Sequence, residues 1–289
     1  NSSDETLSFL CGTSVSSAIC SLLCPGKFRM DLIGNVLPET SKVIESGIER
    51  GSHTGLQLYV SRGGKAVADT GFGESSPGVA MTADSITMWL SAGKPLTAVA
   101  ILQLVEHGLL DLDGRIADWI PEFAAGGKDQ IRLHHLLTHT GGFRNVETGW
   151  PRLSWEQTIA RICESPLEDD WRIGESAGYH TSSSWFILGE LIQRVDPEGR
   201  SFSEYFRKEI CEPLGMIDSW NGMTSDFWTT NQARIAEMSQ LEKGQTELLP
   251  WHDEIRCTAT SPGANSRGPV HDLGHFYECL LAGGELNGE

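Results

Sequence analysis

Ser91-Ala92-Gly93-Lys94-Pro95-Leu96-Thr97-Ala98 sets a hydroxyl and an amine three positions apart at the head of an apolar run. On a helix, positions i and i+3 share a face, so the Ser91 oxygen and the Lys94 amine are neighbours. A serine hydroxyl is a weak nucleophile near neutral pH until a base takes its proton. A partly buried lysine gives up its own proton more readily and can serve as that base. Two fixed letters are a weak signal, and a surface lysine one turn past a capping serine has the same spacing. The residues that follow favour the chemical reading. Leu96, Val99, Ala100, Leu102, Leu104 and Val105 form an apolar helix pattern that stops at Gly108. A helix that apolar is buried. Pro95 is tolerated in its first turn, where N–H groups lack helical partners. Ser91 is therefore expected at the positive end of a buried helix, where a developing anion is favoured.

Around this stretch the chain has the composition of an ordinary globular protein, with 289 residues and 39% apolar side chains. Its net charge of −17 excludes nucleic acid and anionic membrane as expected partners. No apolar run reaches transmembrane length. Seven irregularly spaced cysteines read as free thiols of a reducing compartment, which makes the cytoplasm the expected location. Residues 1–29 lack periodicity and read as a disordered or non-native leader, since the text becomes orderly at Met30. Leu280 to Glu289 stops in mid-pattern.

Periodicity predicts helices over Glu39–Arg50, Leu133–His139, Trp155–Cys163, Ser183–Val195, Phe202–Cys211 and Asp272–Leu281. Asp111 to Pro121 reads as a turn with a short helix. Leu56–Ser61 and Ala66–Phe72 flank Arg62-Gly63-Gly64-Lys65 as a hairpin. Gly73 to Gly78 reads as a loop, and no strands are seen to close the sheet. The hairpin's sheet partners are thus expected elsewhere.

Gly178-Tyr179-His180-Thr181 precedes the Ser183 helix. A tyrosine beside a Ser/Lys pair can shuttle protons, although position alone favours a core tyrosine. Gly174-Glu175-Ser176-Ala177-Gly178 fits a nucleophile elbow, but acidic Glu168-Asp169-Asp170 stands where a buried strand is required. That acidic run reads as a solvated loop. His135 and His139 lie at i, i+4, yet the glutamate of a His-Glu-x-x-His site is absent, so a cap or core role is expected. Trp150, Trp155, Trp171 and Trp185 read as core or cleft wall.

Three stretches, read in order, carry a family resemblance: Ser91 to Ala98, Gly108-Leu109-Leu110-Asp111-Leu112-Asp113, and Leu136-Leu137-Thr138-His139-Thr140-Gly141-Gly142. Tyr179 ahead of Phe186-Ile187-Leu188-Gly189-Glu190-Leu191-Ile192, and Ser261-Pro262-Gly263-Ala264 through Asp272-Leu273, continue it. Over roughly 36–289 the chain resembles the serine β-lactamase-related superfamily of class C β-lactamases, DD-peptidases, and related esterases and acyltransferases. The resemblance implies an α+β fold in which a mainly antiparallel sheet is flanked by helices and joined to a helical domain. On that plan 30–87 begins the sheet domain, 88–255 is mainly helical, and 256–289 returns to the sheet. It also implies Ser91 as acylated nucleophile, Lys94 as its base and Tyr179 as general acid/base, with no metal or organic cofactor. The substrate implied is a small-molecule ester, amide or lactam.

This chain departs from the family's pattern at two points. The second motif is usually Tyr-x-Asn, whereas Tyr179-His180-Thr181 has threonine in the asparagine position. Spacing counted back from Leu188-Gly189 makes His180 the alternate second-motif residue. Tyr-His occurs here in related esterases, and loss of the asparagine argues for esters over lactams. The family's third motif, Lys/His/Trp-x-Gly on a strand that adds an oxyanion-hole N–H, is expected beyond residue 289. The chain thus reads as a C-terminally truncated member, with inactivity as an alternative, because loss of one such donor typically costs ~10²–10³ in rate.

Overall fold

The computed structural model describes residues 36–242 and 245–285. The proposed leader, 1–29, lies outside the described residues. The chain divides into two compact units, Asn1–Asp84 and Ser85–Glu289.

In the first unit, helix α1 (Pro38–Glu49) precedes strands β1 (Gly55–Arg62), β2 (Lys65–Ser76) and β3 (Val79–Ala80). The strands form an antiparallel sheet in the order β1-β2-β3. Gly63 and Gly64, at φ +58° and +71°, make the two-residue turn whose twist suits a hairpin. The segment read as a loop from Gly73 is instead strand as far as Ser76, because Glu74 and Ser76 pair with Ala80 and Val79. Ile44 of α1 closes over Ala68 and Phe72 to make a small core, with Leu37, Ile48, Leu56, Leu58 and Val60 packed against it.

The second unit opens with strand β4 (Thr87–Met88), a 3₁₀ turn at Leu90–Gly93 and helix α2 (Lys94–Glu106). Helices α3 (Ile116–Trp119), α4 (Leu133–Leu137), α5 (Trp155–Glu164), α6 (Ser183–Val195) and α7 (Phe202–Tyr205) follow. Helix α7 runs on into a π-helical turn over Phe206–Cys211. Then come β5 (Trp220–Asn221), α8 (Ser225–Asn231), a hairpin of β6 (Met238–Glu242) and β7 (Gln245–Leu249), α9 (Glu254–Thr258), β8 (Ser266–Gly268) and α10 (Val270–Leu281).

Leu96, Ala100, Ile101 and Leu104 of α2 share one core with Trp185 to Leu188, Leu191 and Ile192 of α6. Leu102, counted above with the apolar set, is 45% exposed, and Ile101 is buried in its place. Helix α5 begins at a capping box in which the Ser154 hydroxyl accepts from the Gln157 N–H.

Three very short strands that the sequence reading did not register belong to a second sheet, separate from that of the hairpin. They form an antiparallel sheet in the order β4-β8-β5. This sheet anchors the entry to α2: the Trp89 N–H donates to Ser266 O at 2.9 Å, and Trp89 Nε1 donates to Gly268 O at 3.0 Å. No helix among the described residues is long and apolar enough to cross a membrane.

Candidate active site

The 3₁₀ turn and the first turn of α2 fix Ser91 against Lys94. Leu90, just before Ser91, takes φ +50°, a left-handed backbone that costs a non-glycine residue about 1–3 kcal/mol. Gly93 permits the close packing of this turn on β8, since a Cβ there would stand 2.5 Å from Ser266 Cβ and Oγ. Helix α2 therefore begins as a 3₁₀ turn at Leu90 and becomes α-helical only at Lys94, three residues after the serine. Ser91 is exposed while Lys94 is buried.

Lys94 Nζ is surrounded by oxygen. It lies 3.1 Å from Ser91 Oγ, 2.9 Å from Thr181 O and 2.6 Å from Gly263 O. Its ammonium also sits 5.2 Å from the Trp185 ring centroid and 5.1 Å from that of Tyr179. Burial pushes the lysine below its ordinary value, while the Tyr179 hydroxyl pulls it partly back. A neutral amine has two N–H bonds and one lone pair. Nζ donates to Thr181 O, Gly263 O and Ser91 Oγ as an ammonium; a neutral amine that kept its two carbonyl bonds would have its lone pair left for Ser91 Oγ.

The Tyr179 hydroxyl donates to Ser91 Oγ at 2.6 Å, so the serine oxygen touches both groups that the resemblance implied. The side chain is 53% exposed. His180, the alternate second-motif residue, is fully buried. Its Nδ1 is hydrogen-bonded to the Ser184 hydroxyl, and its Nε2 is sealed without a partner among the described residues. Burial, and then His139, pushes the ring down to about 4, so it is neutral at physiological pH.

Several other readings resolve here. Ser176 lies in a turn with no strand before it, and its hydroxyl accepts from the Arg172 N–H. Glu168, partly exposed in a loop, is ion-paired with Arg144, with contacts of 2.6 to 3.1 Å. Asp169 and Asp170 are exposed. His135 Nδ1 accepts from the Arg132 N–H in a cap of α4. His139 lies beyond that helix, at φ +61°, with its ring 4.7 Å from that of Tyr179. Residue identity could not reveal the carbonyls of Thr181 and Gly263, because every residue carries one. Their only signal was the motif in which each sits.

The sequence profile of the family described as Beta-lactamase matches residues 40–289. The chain belongs to that family. This Beta-lactamase family member is 25% identical over 218 residues to Esterase EstB of Burkholderia gladioli, an alignment covering 68% of this chain and 54% of that protein. It thus spans about half the length of that curated relative. A penicillin-binding protein homolog from Caulobacter crescentus superposes with a TM-score of 0.71 at 26% identity, covering 90% of this chain and 71% of that one. A family VIII carboxylesterase superposes with a TM-score of 0.70 at 25% identity, covering 84% and 69%. These likenesses establish the α+β fold.

Proposed function

We propose that the chain supplies the nucleophile, base and proton shuttle of a serine hydrolase that acts on small-molecule esters through an acyl-enzyme on Ser91. The observation that carries this reading is the convergence on one oxygen: Ser91 Oγ lies 3.1 Å from Lys94 Nζ and 2.6 Å from the Tyr179 hydroxyl. Lys94 takes the proton of Ser91 as Oγ bonds to the substrate carbonyl carbon. The Ser91 N–H, at the positive start of the turn, supports the resulting oxyanion. As the carbonyl carbon–oxygen bond to the alcohol breaks, Tyr179 protonates the leaving oxygen and regains a proton from Lys94. Water, activated by the same pair in reverse, then releases the acid.

Threonine at the asparagine position of the second motif supports esters over lactams, and Esterase EstB is a relative of matching type. Transfer of the acyl group to another acceptor is the second reading. It is favoured by 30% identity over 202 residues to a methylbutanoyltransferase of Penicillium citrinum.

A fluorophosphonate probe and p-nitrophenyl esters test the proposal. One equivalent of label on the folded protein, lost in Ser91→Ala, is expected. Failure of the folded protein to react rejects it. Nitrocefin turnover exceeding ester turnover would move the substrate to lactams.

A further inference from the structure

The motif Leu136 to Gly142 has no part in the acyl-enzyme chemistry above, yet its His139 makes three separate contacts with the segment that carries Tyr179. The Gly178 N–H donates to His139 O at 3.0 Å. The His180 N–H donates to His139 Nδ1 at 3.1 Å. Between them, the Tyr179 ring lies on the imidazole at 4.7 Å and 44°. One residue therefore binds the main chain on both sides of the tyrosine as well as its ring. The backbone at His139 is left-handed, at φ +61°, a conformation that non-glycine residues rarely adopt. Strain of this kind persists where surrounding bonds over-determine it.

We infer that His139 is the positioning residue for Tyr179, acting as a neutral imidazole whose Nδ1 accepts from the main chain and thereby holds the phenol on Ser91 Oγ. This inference rests on the acyl-enzyme reading. Nδ1 accepts only when unprotonated, so the remaining proton belongs on Nε2. His139 is partly exposed, unlike the fully buried His180. Lys94, Tyr179 and His180 are the titratable groups that face the ring. Burial, then the Lys94 charge, pushes His139 below its ordinary value, which favours the accepting form. Protonation converts the acceptor into a donor facing another N–H and releases the clamp. Precision at Tyr179 matters because small displacements of a reacting group cost about 10²-fold.

The test uses p-nitrophenyl acetate turnover by His139→Asn, His139→Gln, His139→Phe and the double variant His139→Phe/Tyr179→Phe. Asparagine places an amide oxygen where Nδ1 stands and tolerates the left-handed backbone, whereas glutamine places its oxygen a bond further out. His139→Asn is expected to keep at least about tenfold more kcat than His139→Gln, with KM little changed. His139→Phe, which keeps a ring without the acceptor, is expected to lose at least about tenfold in kcat, and to add nothing to the loss in Tyr179→Phe. Equal kcat in the Asn and Gln variants overturns the inference even if the Phe variant does not fold. So does a Phe effect that multiplies onto Tyr179→Phe. Turnover that survives Ser91→Ala sinks the acyl-enzyme reading instead, and the two failures are separate.

Discussion

Lys94 Nζ stands 2.6 Å from the carbonyl oxygen of Gly263, a residue 169 positions further along the chain. One helical turn on, the Thr97 hydroxyl donates to Pro262 O at 2.7 Å. The second unit therefore wraps the head of α2 in the Ser261-Pro262-Gly263 segment, and this wrapping buries the amine.

A lysine held in this way should act as base below the pH at which a free lysine would. Its folded value is lowered, so the neutral form gains population as pH rises through a point below 10.5. Acylation should rise along that limb, measured as the burst rate of p-nitrophenol release against pH. Lys94→Arg, which stays charged, should lower the burst rate by about 10²–10⁴-fold at every pH. A burst that Lys94→Arg leaves intact would remove Lys94 from the base role.

His180 should make the protein acid-sensitive. Its folded value lies near 4 against an ordinary 6.5. Above 6.5 both folded and unfolded chains hold it neutral, and its contribution to stability is complete. As pH falls from 6.5 through 4, the unfolded chain gains a proton that the folded chain resists, and stability drops. The full loss is about 3 kcal/mol. Urea unfolding at pH 7, 5.5 and 4 reads it, and the fall should be shallower in His180→Gln. An equal fall in both proteins would assign the acid sensitivity to other groups.

Gly93 admits no side chain without a shift in β8. A methyl group there would meet Ser266 Cβ and Oγ at 2.5 Å. Ser266 is fully buried, and its hydroxyl accepts from Asn221 Nδ2 at 3.0 Å, so it cannot swing away freely. Gly93→Ala should lose about 1–3 kcal/mol and much of the ester turnover. The pair Gly93→Ala/Ser266→Gly should recover most of both. Thermal melts and kcat together decide the point, and a fully active, fully stable Gly93→Ala would refute it.

Lys128 is the contrasting buried lysine. It is fully buried, and its ammonium donates to Ala125 O at 2.8 Å, to Cys163 O at 3.0 Å and to Ser165 O. It ties the end of α5 to the turn at 125–128 and touches none of Ser91, Lys94 and Tyr179. Lys128→Met leaves three carbonyls without their donor and should cost about 2–4 kcal/mol in urea unfolding. Turnover per folded molecule should be unchanged. A selective fall in kcat would show coupling to the site.

Elements with a strong local signal were legible beforehand. Helix α6 spans Ser183–Val195 as its periodicity predicted, and the hairpin turns at Gly63-Gly64. Strands β4, β5 and β8 are two or three residues long, too short for an alternating pattern to register. They exist because Arg267 of β8 pairs with both Met88 and Trp220. The Arg144–Glu168 pair escaped for a similar reason: its partners lie 24 residues apart, and charge patterning reports only near neighbours.

Sequence alone determined that Ser91 and Lys94 share a face, because three residues is nearly one helical turn. It also named the segment that would bring a tyrosine to them. Only the tertiary structure shows that the Tyr179 hydroxyl reaches the Ser91 oxygen while the His180 ring is buried away from it. In irregular backbone, adjacent side chains point by their anchors: Ser184 and Phe143 hold His180 inside, and the bonds of Gly178 and His180 to His139 leave Tyr179 facing Ser91. The lowered proton affinity of Lys94 was likewise beyond the motif, because it comes from burial by chain more than 80 residues away on one side and more than 160 on the other.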